Sequence, residues 1–246
     1  MNPMHVAAGT ARNTTRELTV GGLVRLSTTD YPDSLSAVVF CQGCAWRCVY
    51  CHNPHLQSTH ASTPMRWEAV RAFLQTRRAL LDAVVFSGGE PTQQPGLLHA
   101  MREASAMGFK IGLHTAGSHP RRLAEVLPLL DWVGMDVKAP FSRYAEITGV
   151  ERSGERARSS VRLILASGVD YEFRTTVHCG QLTRKDVMAL AAELTALGAR
   201  RYALQEFRAE GCLSPELRQS ALERQFDETL AGSLEPQFDE FRVRRA

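Results

Sequence analysis

The sequence predicts an α/β fold, a partial TIM-like (β/α)6 barrel with parallel strands. Three observations carry this. After residue 35, short β-branched or apolar runs alternate with segments of helical spacing, and such alternation implies parallel strands joined by crossover helices. The alternation repeats six times without a long linker. A chain of 246 residues with 44% hydrophobic content is also long enough for one large α/β domain with a full core.

The elements follow in order. Residues 36–41 read as the first strand, a β-branched apolar run. Residues 66–78 have helical spacing, with Trp67, Val70, Phe73 and Leu74 on one side. Residues 83–86 form a short buried strand, 96–107 a helix, 110–114 a strand and 121–130 a helix. Residues 132–137 are the fourth strand and 159–166 close another helix. Residues 171–178 are a strand. Residues 183–197 are a helix, opened by Thr183 with Asp186 three positions on and stopped by Gly198. Residues 202–207 are the last strand. This divides the chain into a polar, poorly ordered leader over 1–20, a main domain over 21–210 and a helical tail over 211–246 packed on the same domain.

Composition excludes several classes. The net charge of +3 is too small to argue for nucleic acid, and the run Arg242-Val243-Arg244-Arg245 reads as a solvated tail. No apolar run approaches the roughly 20 residues that span a bilayer. The first 17 residues lack the apolar centre of a signal peptide. With 6 cysteines spread over the chain and nothing marking secretion, a disulfide framework is not expected. A cytoplasmic protein with reduced thiols is.

Three of those cysteines fall within eight positions: Cys44-Ala45-Trp46-Arg47-Cys48-Val49-Tyr50-Cys51. Four-iron clusters are normally held by four cysteines. Three thiolates leave one iron open, as a catalytic metal site leaves a position for water or substrate. The spacing lets one tight loop wrap three corners of a cube, so the pattern suits a cluster that binds something at its fourth corner. A zinc site remains an alternative, with Cys41 or His52 as fourth ligand, although no second Cys-x2-Cys pair follows. Cys41, Cys179 and Cys212 read as ordinary small residues.

Reactive residues of parallel β/α barrels sit at the C-terminal ends of strands, and the other informative residues fall there. Ser87-Gly88-Gly89-Glu90-Pro91 follows the second strand. Its glycines allow close backbone approach to a ligand, and a plain tight turn is the alternative. His114 ends the third strand, where a structural hydrogen bond is its ordinary role. Asp136-Val137-Lys138 ends the fourth. Charges two apart on a strand point to the same side, and such a pair can bind a zwitterion or form a surface ion pair. Arg174 lies inside a strand-like run, either as a satisfied core charge or as a carboxylate clamp. Gln205, Glu206, Phe207 and Arg208 end the last strand.

Cys44-x3-Cys48-x2-Cys51 resembles the signature of the radical S-adenosylmethionine (radical SAM) enzymes. The longer string Phe40-Cys41-Gln42-Gly43 through His52-Asn53-Pro54 is similar to the activating enzymes of glycyl-radical proteins. It looks most like the long form of the anaerobic ribonucleoside-triphosphate reductase activating protein, from about Gly21 to Arg208. The resemblance implies a [4Fe-4S] cluster on Cys44, Cys48 and Cys51, with SAM on its open iron. It further implies that Gly88, Gly89 and Glu90 hold the SAM amino group, that Asp136 and Lys138 bind SAM, and that Tyr50 flanks the adenine. Arg174 is then expected to face the methionine carboxylate. No catalytic side chain beyond cluster and SAM is implied. The implied activity is reductive cleavage of SAM followed by glycyl-radical formation on a partner, with electrons from a donor such as flavodoxin or ferredoxin. Activation of a pyruvate formate-lyase type of enzyme, and a non-catalytic iron–sulfur or zinc module, are the alternatives.

Overall fold

The computed structural model describes residues 17–60, 63–223 and 227–245. The expected leader lies almost wholly outside the described residues. Among the described residues, nine strands and eight α-helices follow one another: β1 Thr19–Ser27, β2 Ser36–Cys41, β3 Met65–Arg66, α1 Trp67–Gln75, β4 Ala83–Gly88, α2 Leu97–Ala106, β5 Lys110–Thr115, α3 Pro120–Val126, β6 Trp132–Asp136, α4 Tyr144–Thr148, α5 Ser153–Ser167, β7 Asp170–Val177, α6 Arg184–Ala196, β8 Arg201–Glu206, α7 Pro215–Glu223, α8 Glu228–Leu234 and β9 Glu240–Arg244.

They build one sheet in the order β3-β1-β2-β4-β5-β6-β7-β8-β9. From β2 to β9 every neighbouring pair is parallel. The six expected strands are β2 and β4 to β8, each within two residues of its sequence-derived bounds. Alternation along these strands gives the sheet two different faces. Val39, Phe86, Leu113, Val133, Met135, Phe173 and Leu204 join the helices in the large core. The opposite, inner face starts as a small apolar cluster of Val38, Ala83, Val85 and Trp132, covered by Tyr31. Tyr31 comes from the turn between β1 and β2 and meets Trp132 at 5.9 Å.

Four elements lie outside the sequence expectations: β1, its two-residue partner β3, α4 and β9. β1 pairs antiparallel with β2 and carries an irregular register around Gly21 and Gly22. α4 is a single short helix after β6. β9 extends the parallel sheet, so the Arg242–Arg244 run is a strand rather than a free tail: Arg244 makes a two-pronged ion pair to Glu172 at 2.6 and 3.0 Å. Thr183 and Asp186 form the expected reciprocal cap on α6. No described helix is long and apolar enough to cross a membrane.

Candidate active site

A cleft opens at the C-terminal ends of the parallel strands. It is lined by Cys44, Cys48 and Cys51 from the loop after β2, by Ser87, Gly88 and Gly89 from β4, and by His114, Thr115 and Ala116 from β5. Asp136 and Lys138 close it from β6 and Thr176 from β7. Trp46, Tyr50 and His52 complete the thiol side. Five strand ends thus converge on one opening, as expected for a parallel β/α barrel.

The thiol loop is held by backbone hydrogen bonds at both ends. Gly43 N–H donates to Leu56 O (2.8 Å) and Cys44 N–H to Gln57 O (3.1 Å). Further along, Arg47 N–H donates to Thr148 O (2.8 Å) and Val49 N–H to Ile147 O (3.0 Å). The short helix α4 is therefore the shelf on which the middle of the loop rests. All three thiols are free and partly exposed. Burial, then the Glu90 carboxylate, pushes the Cys44 thiol up to about 12. Burial also raises Cys48, against the opposing pull of the Lys138 ammonium. Burial thus favours the neutral form of the Cys44 and Cys48 thiols, and a bound metal ion or cluster would displace their protons.

Gly88 and Gly89 are required where they stand. Gly88 has φ +119°, and a side chain there would strike the Cys41 backbone. A side chain at Gly89 would strike the Gly43 carbonyl. Only glycine lets the loops after β2 and β4 touch, bonded by Gly89 N–H to Cys41 O (2.9 Å) and Glu90 N–H to Gly43 O (2.8 Å).

Glu90 is fully buried and turns away from the opening. Its Oε1 accepts from Thr92 N (3.1 Å), Thr92 Oγ1 (2.5 Å) and Thr115 Oγ1 (2.7 Å), and its Oε2 from Ala116 N (2.8 Å). These bonds tie the loops after β4 and β5 together. The backbone of Gly88 and Gly89 is what faces the cleft.

Asp136 and Lys138 point to the same side, Nζ to Oδ2 3.6 Å. Burial opposes the Lys138 charge, but Cys48 and Asp136 outweigh it and hold its pKa well above the usual lysine value. Burial likewise works against Asp136, and Lys138 and Arg174 reverse it, lowering the carboxyl. Arg174 sits across the β6–β7 register from Asp136. Its Nε donates to Asp136 Oδ1 (3.2 Å) and its Nη2 to Gly134 O (3.3 Å). It does not line the cleft. Arg174 thus braces Asp136, a contact set by the β6–β7 register that local sequence does not reveal.

His114 lines the cleft and bonds through Nε2 to Asp30 O (2.9 Å). Burial, then Arg174, lowers its imidazole to about 3. The unfolded chain takes a proton near the ordinary 6.5 that the folded chain refuses. This histidine therefore costs stability as pH falls from about 6.5 towards 3, at about 1.4 kcal/mol per pH unit. Urea unfolding of the parent and of His114→Asn between pH 7 and 5 should show the steeper acid loss in the parent. Equal slopes would mean that His114 protonates freely in the fold.

Among the described residues, no three His, Cys, Asp or Glu side chains are placed to ligate a single ion. Cys41 is wholly buried on β2, and the His52 Nε2 is within 2.9 Å of Arg208 O. Cys41 is thus kept from a zinc ion at the thiols, and the His52 Nε2 is engaged by backbone. A cluster fits better: three thiols share one cleft, and the buried Trp46 Nε1 and Tyr50 hydroxyl on the same wall have no partner among the described residues. Gln205, Glu206 and Arg208 do not line the opening. Thr115, Ala116 and Thr176 do, and no local motif signalled them.

Comparison with known proteins agrees with this geometry. The Radical SAM superfamily profile matches residues 38–194. A protein of Methanocaldococcus jannaschii, provisionally named a glycyl-radical enzyme activating enzyme, is 33% identical over 206 residues, covering 81% of this chain and 84% of its own length. The pyruvate formate-lyase-activating enzyme of Clostridium pasteurianum is 32% identical over 126 residues, 49% of this chain and 53% of that one, so the match spans about half of each. QueE from Escherichia coli shares the fold, with a TM-score of 0.53 at 15% identity over 94% of both chains. By the span of the profile and the extent of the identity, the chain belongs to the radical SAM superfamily, and within it to the glycyl-radical enzyme activating enzymes.

Proposed function

We propose that Cys44, Cys48 and Cys51 hold a [4Fe-4S] cluster, that SAM binds beside it, and that the protein makes a glycyl radical on a partner enzyme, most directly anaerobic ribonucleoside-triphosphate reductase. The observation that carries this is the convergence of three free thiols, the Gly88–Gly89 backbone and the Asp136–Lys138 pair on one cleft. When bound, cluster and SAM supply one-electron reductive cleavage, a chemistry that side chains cannot perform alone.

The chain's own residues do the rest. Three cysteines leave one cluster corner open to ligand. Gly88 and Gly89, whose missing side chains let the loops after β2 and β4 meet, present their backbone to the cleft. Lys138, charged and 12% exposed, faces anionic groups of SAM, while Asp136 balances it. Tyr50, 4% exposed beside Lys138, provides an aromatic wall suited to the adenine. The Arg174–Asp136 brace fixes that carboxylate without entering the cleft. The reduced thiols suit a cytoplasmic setting with flavodoxin or ferredoxin as electron donor.

Pyruvate formate-lyase is the second candidate partner, favoured by the match to its activating enzyme in Clostridium pasteurianum. Incubation of the reconstituted protein with SAM, reductant and each partner separates the two. A glycine-centred signal in electron paramagnetic resonance is expected on the reductase, with SAM consumed in proportion. A signal on pyruvate formate-lyase alone would transfer the assignment to that enzyme. Brisk SAM turnover with a small metabolite and no glycyl signal on either would remove the activase reading and leave the radical SAM assignment standing.

A further inference from the structure

Trp46 lies between Cys44 and Cys48 in sequence, and its side chain is 1% exposed. Among the described residues its indole Nε1 nevertheless has no hydrogen-bond partner. Buried indole N–H groups usually find an acceptor, because an unmade hydrogen bond is costly. Trp67 shows the ordinary outcome in the same chain, its Nε1 donating to Glu103 Oε2 at 2.5 Å.

The Trp46 ring is held in place. Tyr144 of α4 meets it edge-on at 5.5 Å. Tyr144 is itself fully buried, its hydroxyl accepting from Lys138 N (3.0 Å) and donating to Asp136 O (3.4 Å). The backbone at Trp46 is fixed as well: its N–H reaches Cys44 Sγ at 3.4 Å, and its carbonyl accepts from Arg47 Nη1 at 3.0 Å. Trp46 lines the cleft together with the three thiols. A rigid donor, without an acceptor among the described residues, therefore sits on the wall of the thiol loop.

We propose that the Trp46 indole N–H donates a hydrogen bond to a sulfur of the bound cluster, a sulfide or a ligating thiolate, and raises its reduction potential. This rests on the reading of the cleft as a cluster site. Cluster sulfur gains negative charge on reduction, so a fixed donor favours the reduced form, and hydrogen bonds to sulfur are one of the protein's levers on cluster potential. SAM, the other acceptor that could enter the cleft, is separated from the cluster by the test.

The test compares the reconstituted parent with Trp46→Phe, which keeps an aromatic ring and removes the N–H. Without SAM and at equal iron and sulfide content, the reduced-to-oxidised ratio at a fixed potential should fall roughly tenfold in the variant, a midpoint lower by about 59 mV. An unchanged midpoint overturns the proposal. If SAM binding is weakened at the same time, the donor serves SAM; if neither changes, Trp46 only packs. A second measurement needs no variant. Parent protein carrying 15N-indole tryptophan should show a weak nitrogen coupling to the reduced cluster by electron spin echo spectroscopy. Of the three tryptophans, only Trp46 lines the cleft, so the coupling reports on it, and its absence also overturns the proposal. A parent that takes up no iron would bring down the functional reading itself.

Discussion

Alanine at Cys48 leaves the reconstituted protein without a four-iron cluster, and alanine at Cys44 or Cys51 does the same. Each thiol belongs to one loop and faces one cleft, so the loss of one leaves two of the three corners that the chain supplies. The effect expected is complete, read as iron and sulfide content and as loss of the cluster absorption. Cys41→Ala should load normally. Cys41 is fully buried among Val39, Phe86 and their neighbours, and burial holds its thiol protonated. A full cluster in the Cys48→Ala protein would refute the assignment, and stoichiometric zinc without iron uptake would revive the single-ion alternative.

The second large effect falls on Glu90. Its carboxylate answers four donors from Thr92, Thr115 and Ala116 in a fully buried position. Glu90→Ala leaves those donors without water or partner. Losing one side of a buried charged network typically costs about 3–5 kcal/mol. Chemical denaturation of the metal-free protein should show that loss. SAM affinity should fall as well, by roughly 30-fold or more if one charge-assisted contact's worth of loop order is lost. Loss of the tie would displace Gly88, Gly89 and Ala116 at the cleft. Glu90→Gln should destabilise less, because it keeps the shape and three of the four contacts. A stability change under about 1 kcal/mol in Glu90→Ala would show that the tie contributes little.

The strands and the thiol loop were legible because their signals are local. Ser36–Cys41 and Ala83–Gly88 are apolar runs at strand length, and the cysteine spacing lies within one loop. β1 was obscured because Gly21 and Gly22 interrupt its alternation, and β9 because its arginines resemble a solvated tail. The roles of Glu90 and Arg174 depend on residues 25 and 38 positions away. Their placement is decided by which strands become neighbours and in what register, information that no short window of sequence holds. α4 is too short for periodicity to reveal, yet it supports both the thiol loop and Trp46.

The central claim, that this cleft couples a three-cysteine cluster to SAM, is tested most directly by reducing the anaerobically reconstituted protein in the presence of SAM and measuring methionine release. Reductant-dependent methionine is expected from the parent and none from Cys48→Ala. Iron-loaded, reduced parent protein that leaves SAM intact would contradict the claim.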